Sequence, residues 1–223
     1  MNPATHAYDA LNRIANIVEA ANNRHFGHSA TGNMWVTTTS PAWAPTSFTP
    51  RSAEWFNAAT NRLVNASLQI THDIAGHLEK IGTHNYAYDA EGRLKTSTIN
   101  TATTTFEYDG EGRRVKKGNE TYVYDAFGNL AAEYGGTVST PGTQYLTTDH
   151  LGSTRLITNA AGAEPRCLDY FPFGEEIPRP SVACYTPTTE PRQKFTGKER
   201  DTETDLDYFG ARYYGAAQGR FTS

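Results

Sequence analysis

Tyr108-Asp109-Gly110-Glu111-Gly112-Arg113 is the stretch whose reading decides the fold. Carried one position further and generalised to Tyr-Asp-x-x-Gly-Arg-Leu, it recurs along the chain. Residues 88–94 fit throughout, residues 124–130 fit with Asn129 in the Arg slot, and residues 8–14 fit with Asn12 in the Gly slot. Residues 72–78 and 149–153 keep Asp and Gly, and residues 56–63 keep Asn57 and Asn61. The template describes a β-hairpin tip built as a type I turn followed by one left-handed residue. Asp opens the turn because its carboxylate can accept the backbone N–H two residues on. Gly follows because it takes φ > 0 without a Cβ clash, and Asn is the best substitute. The expected turn pairs are Asp73 and Gly76, Asp89 and Gly92, Asp109 and Gly112, Asp125 and Gly128, and Asp149 and Gly152. From Asn57 to Asp149 the copies stand roughly 16 to 24 residues apart, the length of one hairpin with its connection.

Between the tips, Thr105-Phe106-Glu107-Tyr108 and Thr121-Tyr122-Val123-Tyr124 alternate aromatic and smaller residues, the period of a strand with one buried face. Of the 223 residues 12% are aromatic, including 13 Tyr and 10 Phe, an apolar supply suited to cross-strand packing. The fold expected is mainly β: repeated antiparallel hairpins forming a curved or spiralling sheet. Residues 13–18 read as a return strand, with a short helix over 18–22 as a weaker alternative. Residues 40–50, broken by Pro41, Pro45 and Pro50, read as a loop. Further strands are expected at 68–72, 144–148, 154–158, 167–171 and 192–196, and a strand pair or kinked strand at 206–214. A formal charge of −4 argues against a nucleic-acid partner, and no apolar run reaches membrane-spanning length. Met1-Asn2-Pro3-Ala4 lacks a signal-peptide pattern.

Few residues invite a chemical reading. His25 and His28 have the spacing of a metal pair, but no Cys or carboxylate accompanies them at ligand spacing, so no metal or cofactor is expected. Asp149, His150 and Ser153 are read as hairpin-tip residues rather than a catalytic group, with His150 exposed at the tip. Cys167 and Cys184 flank a Pro-rich stretch. One bridge between them is possible, and two unlinked thiols is the reading adopted, since spacing alone does not establish a bond.

The repeated Tyr-Asp template resembles the YD repeats of RHS proteins, toxin-complex C components and teneurins. A second block, Tyr145-Leu146-Thr147-Thr148-Asp149-His150-Leu151-Gly152-Ser153-Thr154, resembles the opening of the RHS repeat-associated core domain. Phe173-Gly174, Phe195-Thr196-Gly197-Lys198-Glu199-Arg200-Asp201, the Leu206 to Tyr214 block and Gly219-Arg220-Phe221 extend that likeness. It covers nearly the whole chain, residues 19–51 least. It implies a YD-repeat array over 1–142 and a C-terminally truncated core region over 143–223.

The resemblance further implies a secreted or cell-surface bacterial scaffold, a segment of a β-shell that in larger relatives encloses a C-terminal polymorphic toxin. The partners implied are a toxin polypeptide, the rest of the shell, or other copies of the chain through open sheet edges. A cell-surface module binding protein or carbohydrate is the alternative, and exposed rather than buried aromatics would favour it. A third reading is an aspartyl-type self-cleaving core. The resemblance carries its Arg-Asp pair onto Arg200 and Asp201, within the carboxylate group Glu199, Asp201, Glu203, Asp205 and Asp207. Asp205 stands where the family has Gly, and the chain holds no Asp-Pro-x-Gly motif after Phe221. The expectation is therefore no catalysis, Arg200 and Asp201 a latent site at most, and the carboxylates a solvated turn with Arg partners.

Overall fold

The computed structural model describes residues 4–136, 143–162, 166–179, 182–185 and 190–223; the expected boundary at residue 142 lies outside them. Among these residues four antiparallel sheets account for the strands, none closed into a barrel. The first contains β1 (Thr5–Tyr8), β2 (Ile14–Glu19), β3 (Asn22–His28) and β4 (Met34–Thr39) in chain order. The second is an eight-stranded meander: β5 (Thr71–His72), β6 (Leu78–Ile81), β7 (His84–Tyr88), β8 (Leu94–Ile99), β9 (Ala102–Tyr108), β10 (Arg114–Lys117), β11 (Glu120–Tyr124) and β12 (Leu130–Tyr134). A three-stranded sheet follows, β13 (Gln144–Thr148), β14 (Thr154–Asn159) and β15 (Arg166–Cys167). The last is β16 (Glu199–Asp201), β17 (Leu206–Tyr208), β18 (Tyr213–Gly215) and β19 (Arg220–Phe221). The fold is thus mainly β, built from successive hairpins.

The tips show why the template has its residues. At Asp109, Oδ1 accepts the N–H of Glu111 (3.0 Å) and of Arg113 (2.9 Å), and Oδ2 accepts the Arg113 Nε–H (2.7 Å). Gly112 donates its N–H to the Asp109 carbonyl at 3.0 Å and sits at φ +80°, the left-handed residue of a three-residue hairpin. Asp9 and Asp89 repeat the arrangement with Arg13 and Arg93, and Asn129 takes the Arg role at Asp125. At Asp73 the partner is His77 (Oδ2 to Nδ1, 2.9 Å). Asp149 accepts from Leu151 and Ser153, and the left-handed residues of these three tips are Gly128, Gly76 and Gly152.

Two apolar clusters form the core. Ile14, Ile17, Phe26, Met34, Val36 and Trp43 of the first sheet and its following loop pack on Phe171. Leu78, Ile81, Tyr86, Leu94 and Phe106 of the meander pack on Leu206 and Tyr213 of the last sheet. Burying such side chains contributes roughly 1.5–3 kcal/mol each, so the apolar contacts alone bind the last sheet to the meander.

Several expectations need correction. The short helix at 18–22 is absent: β2 runs to Glu19 and β3 begins at Asn22. Of 68–72 only Thr71–His72 is strand: Asn65 Oδ1 accepts the Leu68 N–H (3.0 Å), the Ile70 N–H turns back to the Asn65 carbonyl, and Gln69 adopts φ +50°. Of 167–171 only Cys167 is in a strand, because the Phe171–Gly174 turn bends the chain back to bridge Tyr170 with Glu176. Residues 192–196 end in a 3-10 turn, Phe195–Gly197, with Thr196 at φ +51°. Cys167 and Cys184 are disulfide-bonded, with Cα atoms 5.1 Å apart. The bridge pins the Ala183–Tyr185 turn to β15, and the Tyr185 hydroxyl donates to Asp169 (2.6 Å).

Candidate functional site: a buried ionic lock beneath the repeat sheet

The last template residue starts the return strand and in most copies faces the core. Ile14, Leu63, Leu78 and Leu94 fill this slot and are buried. Arg114 fills it in the Tyr108 copy, and its side chain is only 1% exposed. Arg114 Nη1 donates to both oxygens of Asp201 (3.0 and 2.8 Å) and to the Tyr213 hydroxyl (2.7 Å), and Nη2 to Glu199 at 2.5 Å. Lys117, brought to the same side as Arg114 by the β-bulge between Arg114 and Lys116, reaches Asp201 (3.2 Å) and Glu199 (3.3 Å). The guanidinium also lies 4.4 Å from the Tyr208 ring centroid, and the Arg114 N–H donates to the Tyr208 hydroxyl (2.9 Å). Arg192 extends the lock outward, bridging Glu120 (2.7 Å) and Glu133 (2.8 Å) of β11 and β12.

Electrostatics agrees with this geometry. Burial pushes the Asp201 carboxyl up to about 6, against the opposing pull of Arg114 and Lys117. Burial works against the Arg114 charge too, but Tyr213, Asp201 and Glu199 outweigh it and raise its pKa. The two shifts pull in opposite senses for one ion pair, yet both leave it ionised at neutral pH. An ion pair without water is expensive to break, because the surviving charge is stranded in a low-dielectric interior.

The carboxylate group divides: Glu203 and Asp205 are exposed in the turn, and the Arg–carboxylate pairs are present, but two of the acids are not solvated. Asp201 and Asp207 are both fully buried. Arg200 and Asp207 are opposite each other in the β16–β17 ladder, as are Asp201 and Leu206. Arg200 grips Asp207 through Nε (2.9 Å) and Nη2 (2.8 Å). Successive residues of a strand point to opposite faces, so Arg200 and Asp201 serve different partners and Asp201 and Asp207 lie on opposite faces of the hairpin. Glu199 shares Asp201's face, but Arg114 and Lys117 lie between their charges. Glu203 approaches only Lys117 (3.5 Å), and the Asp205 carboxylate has no ion-pair or hydrogen-bond partner among the described residues.

The other candidates have structural surroundings. His150 is exposed at its tip, and Ser153 is buried, its hydroxyl accepting the Thr196 N–H (3.0 Å). His28 Nε2 donates to the Ile14 carbonyl (2.7 Å), and no group of three metal-ligating side chains occurs among the described residues. Sequence reasoning passed over Arg114, although an Arg in a slot filled elsewhere by Leu or Ile was a readable signal for a buried acid.

The first template residue has its own partner in the preceding repeat. The Tyr88 hydroxyl donates to the Leu78 carbonyl (2.9 Å), Tyr108 to Leu94 (2.8 Å) and Tyr124 to Arg114 (2.9 Å). Arg93 lies over the Tyr108 ring and Arg113 over the Tyr124 ring, both 5.1 Å from the centroid, and His77 stacks at 4.8 Å on Tyr88. Each tip thus latches the next.

A family model described as RHS Repeat matches residues 88–119, the copies that carry these latches. No curated protein matches the sequence. Among solved structures, a Tc holotoxin pore of Photorhabdus luminescens carrying a mutated TccC3 is similar over 100% of this chain, with 19% identity and a TM-score of 0.68. The TcdB2-TccC3-TEV structure matches over 100% (20% identity, TM-score 0.68) and TcdB2-TccC3-Cdc42 over 99% (18%, 0.66). The chain spans 14% of the length of each of these structures, and the likeness is one of fold. Residues 88–119 thus carry an RHS repeat, and the chain as a whole shares the fold of these TccC3-containing structures.

Proposed function

We propose that the chain is a non-catalytic wall segment of an RHS/YD-repeat β-shell, whose larger form encloses a polypeptide, in toxin-complex relatives a toxin. The observation that carries this reading is where the aromatic and ionic groups point. Tyr86, Phe106, Tyr122 and Tyr213 are buried, and the template tyrosines spend their hydroxyls on backbone carbonyls. These rings join neighbouring hairpins, which favours a wall over an adhesive strip. Partners under this reading are the rest of the shell and its contents, in a secreted or cell-surface setting.

Arg200 and Asp201 are structural here. Aspartyl chemistry needs two carboxylates sharing one proton beside a scissile bond. Asp201 instead faces two cations, and Asp207 is on the other side of its hairpin. Electron cryo-microscopy of the full-length protein carrying this segment tests the wall reading. The expected map shows residues 71–134 continued by neighbouring strands around enclosed polypeptide density; a segment standing free in solvent with nothing enclosed would overturn it. Intact-mass measurement over days separately tests the absence of self-cleavage, first on this chain and then with an Asp-Pro-x-Gly tail added. Cleavage abolished by Asp201→Asn would return Asp201 to a catalytic role.

A further inference from the structure

Most arginines of this fold meet an acid: Arg13, Arg24, Arg93, Arg113, Arg114 and Arg200 each hold a carboxylate at 2.6 to 2.8 Å. Arg62 and Arg220 have no acid partner among the described residues. Both line a cavity of about 70 Å³, with His72 and Gly76, where the Asn57 to Arg62 turn, the Asp73 tip and β19 come together. Arg220 donates Nη2 to the Asn61 carbonyl (3.1 Å), while its Nη1 is buried with no hydrogen-bond partner among the described residues. Burial lowers its pKa, and no neighbouring acid offsets that pull. The Arg62 side chain makes no hydrogen bond or ion pair among the described residues and lies against Gly76, where a Cβ would come within 2.5 Å of Nη2. His72 is held below the usual imidazole range by burial first, then by the charges of Arg62 and Arg220. Asp73 pulls the other way, but it spends both carboxylate oxygens on its own tip, on the Gly76 and His77 N–H groups and the His77 ring. Two guanidinium groups thus face a common space that supplies no anion.

We propose that this cavity binds a carboxylate carried on a short hydrocarbon stem. The planar guanidinium forks of Arg62 and Arg220 match the two oxygens of a carboxylate. Such a ligand also gives the buried Arg220 Nη1 the acceptor it lacks, removing the cost of a stranded donor. Leu63, Leu78 and Phe221 form the rest of the wall, apolar surface that suits a stem and does not suit a free inorganic ion. The small volume limits the occupant to a headgroup with few carbons, which a glutamate side chain and a free short-chain acid both satisfy. The inference does not rest on the wall reading, since the cavity lies within this chain.

The test is titration of the isotopically labelled chain, at neutral pH and constant ionic strength, with butyrate and with Nα-acetyl-glutamate methylamide. The readout is the guanidinium Nε–H resonances of Arg62 and Arg220 and the Gly76 amide. Butanol, which keeps the stem and loses the charge, and inorganic phosphate serve as comparisons. Saturable shifts with at least one of the two carboxylates are expected, at least tenfold weaker with butanol, with phosphate and in Arg62→Gln and Arg220→Gln. The tighter of the two carboxylates identifies the source, a free acid or a polypeptide side chain. No saturable response to either, or wild-type binding by both variants, would overturn the site. A phosphate response equal to that of the carboxylates would overturn the stem-bearing ligand, and an equal butanol response would overturn the ionic contact. If Arg220→Gln fails to fold, Arg62→Gln decides, because its side chain holds no other bond.

Discussion

Tyr108 donates its hydroxyl proton to the carbonyl of Leu94 at 2.8 Å, tying the first residue of one repeat to the seventh residue of the repeat before it. Because Arg93 covers the same ring, one side chain satisfies a backbone acceptor and buries its apolar body between two tips. Tyr108→Phe keeps the ring and removes the bond. We expect a loss of about 1 kcal/mol in urea melts, somewhat more if the carbonyl finds no water. A melt superimposable on wild type would mean that the latch contributes nothing.

Gly112 has only the tip of Arg93 near the position a Cβ would occupy, at 4.0 Å, so space is not what demands glycine there. The demand is φ +80°. Gly112→Val should cost on the order of 1 kcal/mol or more, because a β-branched residue is strained at that angle. Gly112→Asn should cost less, and an equal penalty for both would point to sterics instead.

The tip aspartates make folding pH-dependent in a defined direction. At Asp9 the side-chain bond from Arg13, then the Arg13 N–H, lowers the pKa from 3.8 to about 2. A carboxyl lowered in the fold stabilises it above the unfolded value and loses that contribution as pH falls through the folded one. Stability should therefore decline between pH 4 and 2, and Asp9→Asn should flatten that part of the profile. An unchanged slope in the variant would remove Asp9 from the acid response.

The edges of the sheets remain open among the described residues. No strand pairs with the outer side of β12, where Tyr134 is 62% exposed and Leu130, in the slot that is buried elsewhere, is 45% exposed. Unpaired edges recruit other strands. Sedimentation across a concentration series should show association, weakened by a Lys at Tyr134; a monomer at every concentration would show that the edges are blunted.

How much of this was legible follows the range of the interactions. The tips were readable because Asp109, Arg113 and Gly112 act within five residues. Gly27 lies inside β3 because of Trp35, since a Cβ there would come within 2.3 Å of the indole Nε1, a demand that no local pattern shows. Residues 68–72 alternate like a strand, yet the local bond from Leu68 N–H to Asn65 Oδ1 captures them first. The disulfide depends on two Cα atoms meeting, which spacing does not encode. The lock was the least legible part: the slot of Arg114 signals a buried charge, but its partner Asp201 is 87 residues away and nothing local marks it.

The most direct measurement is a double-mutant cycle on that pair. Arg114→Leu restores the residue type of the neighbouring repeats, yet it should cost about 3–5 kcal/mol because it leaves the buried Asp201 to share Lys117 with Glu199. Asp201→Asn alone should also destabilise, and the double variant should be markedly more stable than the two losses added together. A coupling energy of about 2 kcal/mol or more is the result predicted for an ionic lock holding the last sheet to the repeat wall. Single losses near zero, or losses that simply add, would contradict it.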